Sequence, residues 1–85
     1  MQSRIKVVLY TKEGCGLCEE MKAEMTQAGC DELYRLEEVD ITTDADLWAR
    51  YRYDIPVLLM NGVEKFRHRL TAERFRAVVL ELARL

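Results

Sequence analysis

The chain has no surplus of charge of either sign. Thirteen Lys and Arg stand against fifteen Asp and Glu, a formal net charge of −2 over 85 residues. No basic excess marks a nucleic-acid surface and no acidic tail marks a cationic partner, so nucleic acid is not an expected ligand. Long apolar runs are missing too. The first, Ile5-Lys6-Val7-Val8-Leu9-Tyr10, is too short and too soon interrupted for a signal peptide or a membrane span. The expectations are therefore no membrane partner and a cytoplasmic location. Histidine occurs once, at His68, and no second Cys-x-x-Cys accompanies the single one present. A zinc site built on that pair would have only Cys30 and His68 to complete it, so no metal site is expected. Three cysteines is an odd count, which argues against a disulfide framework. There are no repeats, low-complexity tracts or linkers. The expectation is one domain over residues 1–85, burying roughly 60–65% of its unfolded surface, and nothing in it demands more than a monomer.

What is present is a pair of thiols, Cys15 and Cys18, in the run Leu9-Tyr10-Thr11-Lys12-Glu13-Gly14-Cys15-Gly16-Leu17-Cys18. They follow a β-like apolar run and open a helix. At the first turn of a helix the backbone N–H groups have no intrahelical partner and the dipole favours negative charge. A thiolate formed there is stabilised and becomes a usable nucleophile near neutral pH. A second thiol one turn on is placed to attack a mixed disulfide formed by the first. The pattern reads as a redox device. A zinc half-site and two inert buried cysteines are the competing readings.

The remaining elements follow from periodicity and punctuation. Ile5–Tyr10 reads as a buried strand. From Cys15 to about Ala28 a helix places Cys18, Met21 and Met25 on one face, and Gly29 is suited to end it in a left-handed cap. Tyr34–Ile41 contains a second strand, with Leu36, Val39 and Ile41 as its apolar side chains. Thr43 with Asp44 and Asp46 signals a helix start capped by the threonine, with Leu47, Trp48 and Tyr51 facing inward. Ile55–Met60, Asn61-Gly62 and Val63–Phe66 read as a β-hairpin closed by a type I′ turn. A last helix from about Ala72 carries Phe75, Val78, Val79 and Leu82 on one stripe. Thr71 is its cap, and Leu70 with Phe75 its hydrophobic staple. The order is β-α-β-α-β-β-α. The first two strands are parallel across a right-handed crossover and the last two form an antiparallel hairpin. The predicted fold class is α/β, a four-stranded mixed sheet with helices on both faces.

This order, the Cys-x-x-Cys at a helix start and an Ile-Pro opening the third strand resemble the thioredoxin fold. More closely, the chain from about Lys6 to Leu82 resembles a glutaredoxin, and Leu36–Ile41 and Tyr53–Val57 resemble a compact glutaredoxin-like family. The resemblance implies that Cys15 is the exposed nucleophile and Cys18 the buried resolving thiol. It implies that Pro56 is a cis-proline facing the disulfide, with Ile55 offering backbone hydrogen bonds to an extended peptide or to glutathione. Lys12 would hold a carboxylate of glutathione. Where glutaredoxins carry a Gly-Gly before an acid-containing helix start, this chain has Phe66-Arg67-His68-Arg69-Leu70-Thr71-Ala72-Glu73, leaving Thr71 and the helix N-terminus to receive a carboxylate. No bound cofactor is implied, and glutathione is a candidate reductant or co-substrate.

The expected function is thiol–disulfide oxidoreduction of a protein or low-molecular-weight disulfide. Two rivals accompany it: a glutathione-assisted iron–sulfur or metal-handling module, and a thioredoxin-like adaptor without turnover. Gly16 leaves backbone uncovered beside the nucleophile, and Leu17 offers an apolar contact at the rim. Glu13, Glu19 and Glu20 crowd the motif with negative charge and oppose thiolate formation, so a reducing pair is expected. Cys30 is read as a structural thiol, His68 as a solvated residue, and Trp48, Tyr51 and Tyr53 as packing and rim residues.

Overall fold

The computed structural model describes residues 4–84. Along them run β1 (Ile5–Thr11), α1 (Gly16–Gln27), β2 (Tyr34–Asp40), α2 (Ala45–Tyr51), β3 (Val57–Met60), β4 (Val63–Arg67) and α3 (Ala72–Ala83). Short 3-10 turns at Asp31–Leu33 and Ile41–Thr43 flank β2. The sheet order is β2-β1-β3-β4, with β1 and β2 parallel and the other pairs antiparallel. This is the mixed α/β arrangement expected.

The alternation of β1 divides the molecule into two faces. Ile5, Val7 and Leu9 are buried, with Val7 and Leu9 in register with Met60 and Leu58 of β3. They pack with Met21 and Met25 of α1 and Phe75 and Val79 of α3 into the larger core. Phe75 is its hub, edge-on to Tyr34 at 5.3 Å between ring centroids and tilted against Phe66 at 6.4 Å. On the opposite face Tyr10 meets Tyr51 of α2, with centroids 4.8 Å apart. Helices thus cover both faces, but α2 is short and leaves Val8 and Leu59 only half-buried.

The local signals acted as their chemistry demands. Thr71 caps α3, its hydroxyl accepting from the Arg74 N–H at 3.2 Å. Leu70 and Phe75 are both buried beside that start, as a staple requires. Gly29, at φ +69°, follows α1, and its N–H closes on the Thr26 carbonyl. Asn61 and Gly62 take the positive φ angles of the hairpin turn, and Asn61 also accepts the Lys6 N–H, locking the hairpin to β1.

Three expectations are corrected. The cap of α2 is Asp44, not Thr43. Asp40 accepts both the N–H and hydroxyl of Thr42 and so winds Ile41–Thr43 into a 3-10 turn, delaying the helix by one residue. Leu36 is 40% exposed because β2 is an edge strand with little packed over it, and Ile41 is buried from the following turn rather than from the strand. Trp48 is 38% exposed and does not face inward as Leu47 and Tyr51 partly do.

Candidate active site

Cys15 and Cys18 are joined by a disulfide, with their Cα atoms 5.2 Å apart. Cys15 is not part of α1 but its N-cap, with extended backbone at φ −87° and ψ 105°. Its sulfur stands where a capping oxygen usually does and accepts the Cys18 N–H at 3.1 Å. That N–H is one of the orphan donors of the helix start, so a backbone dipole points at the sulfur that must carry charge. The two sulfurs differ in access. Cys15 is half-buried at the surface, whereas Cys18 is fully buried. Behind them lies a second, smaller apolar cluster of Cys18, Ile41 and Ile55, edged by Tyr10, Leu47 and Tyr51.

Gly16, the first residue of α1, faces open space: a Cβ built there would meet nothing within 4 Å. Leu17 is half-buried and lines a groove of about 680 Å³ between α1 and the β4–α3 connection. Lys12 is exposed, its ammonium 5.7 Å from the centroid of the Trp48 ring. The acids around the motif are largely paired. Glu19 bonds Lys22 at 3.1 Å, Lys22 also reaches Glu38, and Glu20 lies 3.7 Å from Arg69. Among the described residues only Glu13 of the three has no ion-pair partner.

Ile55 and Pro56 are buried in the segment before β3, and the peptide bond between them is cis. The N–H of Ile55 donates to the Tyr51 carbonyl at 3.2 Å, so its carbonyl is the half it can still offer a partner. The Pro56 carbonyl accepts the His68 N–H at 2.7 Å. His68 sits at φ +71°, and the Arg69 N–H closes on the Arg67 carbonyl across it at 2.8 Å, a tight γ-turn that is unfavourable for a residue with a Cβ. Arg67 holds the same segment from its side chain, binding Glu64 through two bonds of 2.8 Å and Asp54 at 3.2 Å. The Glu64 carboxyl is held below its ordinary range by those bonds.

Thr71 lies on the groove, but its hydroxyl is engaged in capping α3. The next N–H, that of Ala72, is taken by the Glu24 carboxylate at 2.8 Å. At the start of α3 the N–H groups of Ala72 and Arg74 are thus engaged by the protein's own side chains. Sequence reasoning passed over Glu24, Arg67 and Asp54. Glu24 and Ala72 are 48 residues apart, and no spacing rule links them.

Cys30 stands outside this site, buried in the larger core beside Tyr34. Burial pushes its thiol pKa up, with Glu32 and Asp31 adding to the rise and Arg76 opposing it.

A four-stranded thioredoxin-like sheet carrying a bonded Cys-x-x-Cys pair at a helix N-terminus defines a thiol redox protein as a class. Within that class the chain belongs to the glutaredoxin-like domain family (DUF836), which it matches over residues 6–80. It is similar to protein XcR50 from X. campestris, at 29% identity and a TM-score of 0.75, with 88% of this chain and 96% of that one covered. It is likewise similar to protein Ne2328 from Nitrosomonas europaea, at 29% identity and a TM-score of 0.74, covering 92% and 94%. Mitochondrial thioredoxin 3 from Saccharomyces cerevisiae shares the fold, at 15% identity and a TM-score of 0.62 over 94% of this chain and 80% of that one. Family and pair together support a redox role in general terms.

Proposed function

We propose that the protein is a thiol–disulfide oxidoreductase in which Cys15 is the nucleophile and Cys18 the resolving thiol. The observation that carries this reading is the asymmetry of the pair. Cys15 is accessible and receives a helix-start N–H, while Cys18 is sealed in the small cluster one turn away. In the reduced protein the Cys15 thiolate attacks a substrate disulfide, forming a Cys15–substrate disulfide and expelling one substrate thiolate. Cys18, losing its proton to solvent or to that thiolate, then attacks the Cys15 sulfur. The second substrate thiolate leaves and the internal disulfide remains. The substrate gains two electrons and the pair loses two. A dithiol, or two equivalents of a monothiol such as glutathione, returns them. Open space over Gly16 admits the substrate, Leu17 contacts it at the rim, and the Ile55 carbonyl before Pro56 binds its backbone. Lys12, released from Trp48, is the cation nearest the motif in sequence. The substrates are protein or small-molecule disulfides met in the cytoplasm, where such pairs act catalytically rather than structurally.

The test is a trap. Cys18→Ser protein incubated with a disulfide-linked peptide pair is expected to hold one peptide on Cys15, identified by mass after proteolysis. An adduct elsewhere, or none with Cys15 intact, would assign the chemistry to another residue or remove it.

A further inference from the structure

The charged side chains of this protein are unevenly spread. Lys65–Arg74, which ends β4 and opens α3, holds four of the thirteen Lys and Arg and one of the fifteen acids. Asp31–Asp46, built around β2, holds seven of the acids and a single cation, Arg35. β2 and β4 are the two edges of the sheet, so the domain is basic beside one edge and acidic along the other, although its net charge is only −2. All four cations of Lys65–Arg74 line the groove of about 680 Å³ between α1 and the β4–α3 connection. Lys65 and Arg74 have no carboxylate partner among the described residues. Arg69 is held only loosely, 3.7 Å from Glu20 with both side chains largely exposed. The other acid of the groove, Glu24, is spent on the Ala72 N–H. Half-buried Leu17 and Phe66 give the groove apolar walls. It adjoins the redox pair without containing it: Leu17 stands between the two cysteines in sequence, and neither cysteine lines it.

We propose that this groove is a docking surface for an acidic, partly apolar segment of a partner protein. Unpaired cations over an apolar wall match a peptide that carries carboxylates and aliphatic side chains together. The separation of charge across the sheet turns the basic side toward an approaching anion. Nucleic acid fits less well, because a long polyanion would run from the small basic patch onto surface that carries most of the acids. A second copy fits less well too. Its acids along β2 are partly engaged, Glu38 with Lys22 and Asp40 with Thr42, and they lie on a strand edge rather than on a segment that could enter a groove. Docking is non-covalent and does not depend on the thiols.

The experiment measures binding with the Cys15–Cys18 disulfide closed, so its outcome is separate from that of the oxidoreductase reading. A labelled synthetic peptide alternating glutamate with leucine is titrated with the protein and followed by fluorescence anisotropy. Saturable binding is expected, weakening as salt is raised. The double variant Lys65→Gln, Arg74→Gln is expected to weaken it about tenfold, the size of two exposed ion pairs. Those side chains have no ion-pair or hydrogen-bond partner among the described residues, so their loss leaves the fold intact. Arg35→Gln with Arg50→Gln, equal in charge but away from the groove, leaves binding within about twofold of the parent. A peptide with serine in place of leucine binds more weakly, and single-stranded oligo-deoxythymidylate does not compete. No saturable binding, or an equal loss in the two double variants, overturns the proposal. So does competition by the oligonucleotide, which would make the groove a general polyanion site. A concentration-dependent rise in sedimentation mass, abolished by Lys65→Gln with Arg74→Gln, would make the occupant a second copy and overturn it likewise.

Discussion

The two apolar clusters of this protein are built differently. The larger joins one face of the sheet to α1 and α3 through thirteen buried residues centred on Phe75. The smaller, at the end of the sheet near the thiols, has among the described residues just Cys18, Ile41 and Ile55 buried, with Tyr10, Cys15, Leu47 and Tyr51 at its half-open edge. Stability scales with apolar area removed from water, so the first region holds the fold and the second contributes less. What distinguishes the second is access: the Cys15 sulfur is half-buried at the surface, over a Cys18 that is fully buried. The thiols repeat the contrast. Cys30, within the larger core, has its thiol pKa raised by burial, whereas Cys15 caps a helix.

The largest expected effect breaks the comparison at the site alone. Cys15→Ser reduces disulfide turnover to the uncatalysed background while leaving the denaturation midpoint of the reduced protein nearly unchanged. Phe75→Ala does the opposite. It costs about 3–5 kcal/mol in chemical denaturation, without shifting the reduction potential of the Cys15–Cys18 pair in the protein that remains folded. Tyr51→Ala, which removes the ring packed on Tyr10, costs only ~1 kcal/mol but changes that potential, because it opens the cluster around Cys18. Equal effects of the two aromatic substitutions on the potential would show that the regions are not separable.

Smaller effects sharpen the account. Thr71→Ala removes the α3 cap and costs about 1 kcal/mol, read from the same denaturation curves. The pH dependence concerns Cys30 and Tyr34, both raised chiefly by burial. Each holds its proton more tightly folded than unfolded. Their contribution to stability is therefore intact below the unfolded values and is lost as pH climbs toward the folded ones. Unfolding midpoints measured on the alkaline side, above about pH 9, should fall, and less steeply in Cys30→Ala.

Most of this division was legible in the sequence where a short-range rule applies. The apolar strand at Ile5–Tyr10, the face of Cys18, Met21 and Met25, the Asn61-Gly62 turn and the Thr71 cap each depend on neighbours within a few residues, and each formed, although the strand proved to alternate rather than to be buried throughout. Errors arose where one local rule competed with another. Asp40 bonded Thr42 and displaced the α2 cap from Thr43 to Asp44. Leu36 lost its cover because strand order, which the pattern of β2 does not encode, put it on an edge. At the site, Cys15 and Cys18 were readable from spacing. The contacts around them that join distant segments, Glu24 to Ala72 and Arg67 to Asp54, have no period and required the folded chain.

The most direct test of the central claim is intact mass across a series of reduced-to-oxidised glutathione ratios, with peptide mapping of each species. Two hydrogens are expected to be lost and regained reversibly as the Cys15–Cys18 disulfide forms and opens, with Cys30 unmodified throughout. A pair that stays reduced, or stays bonded, across the whole range would contradict it.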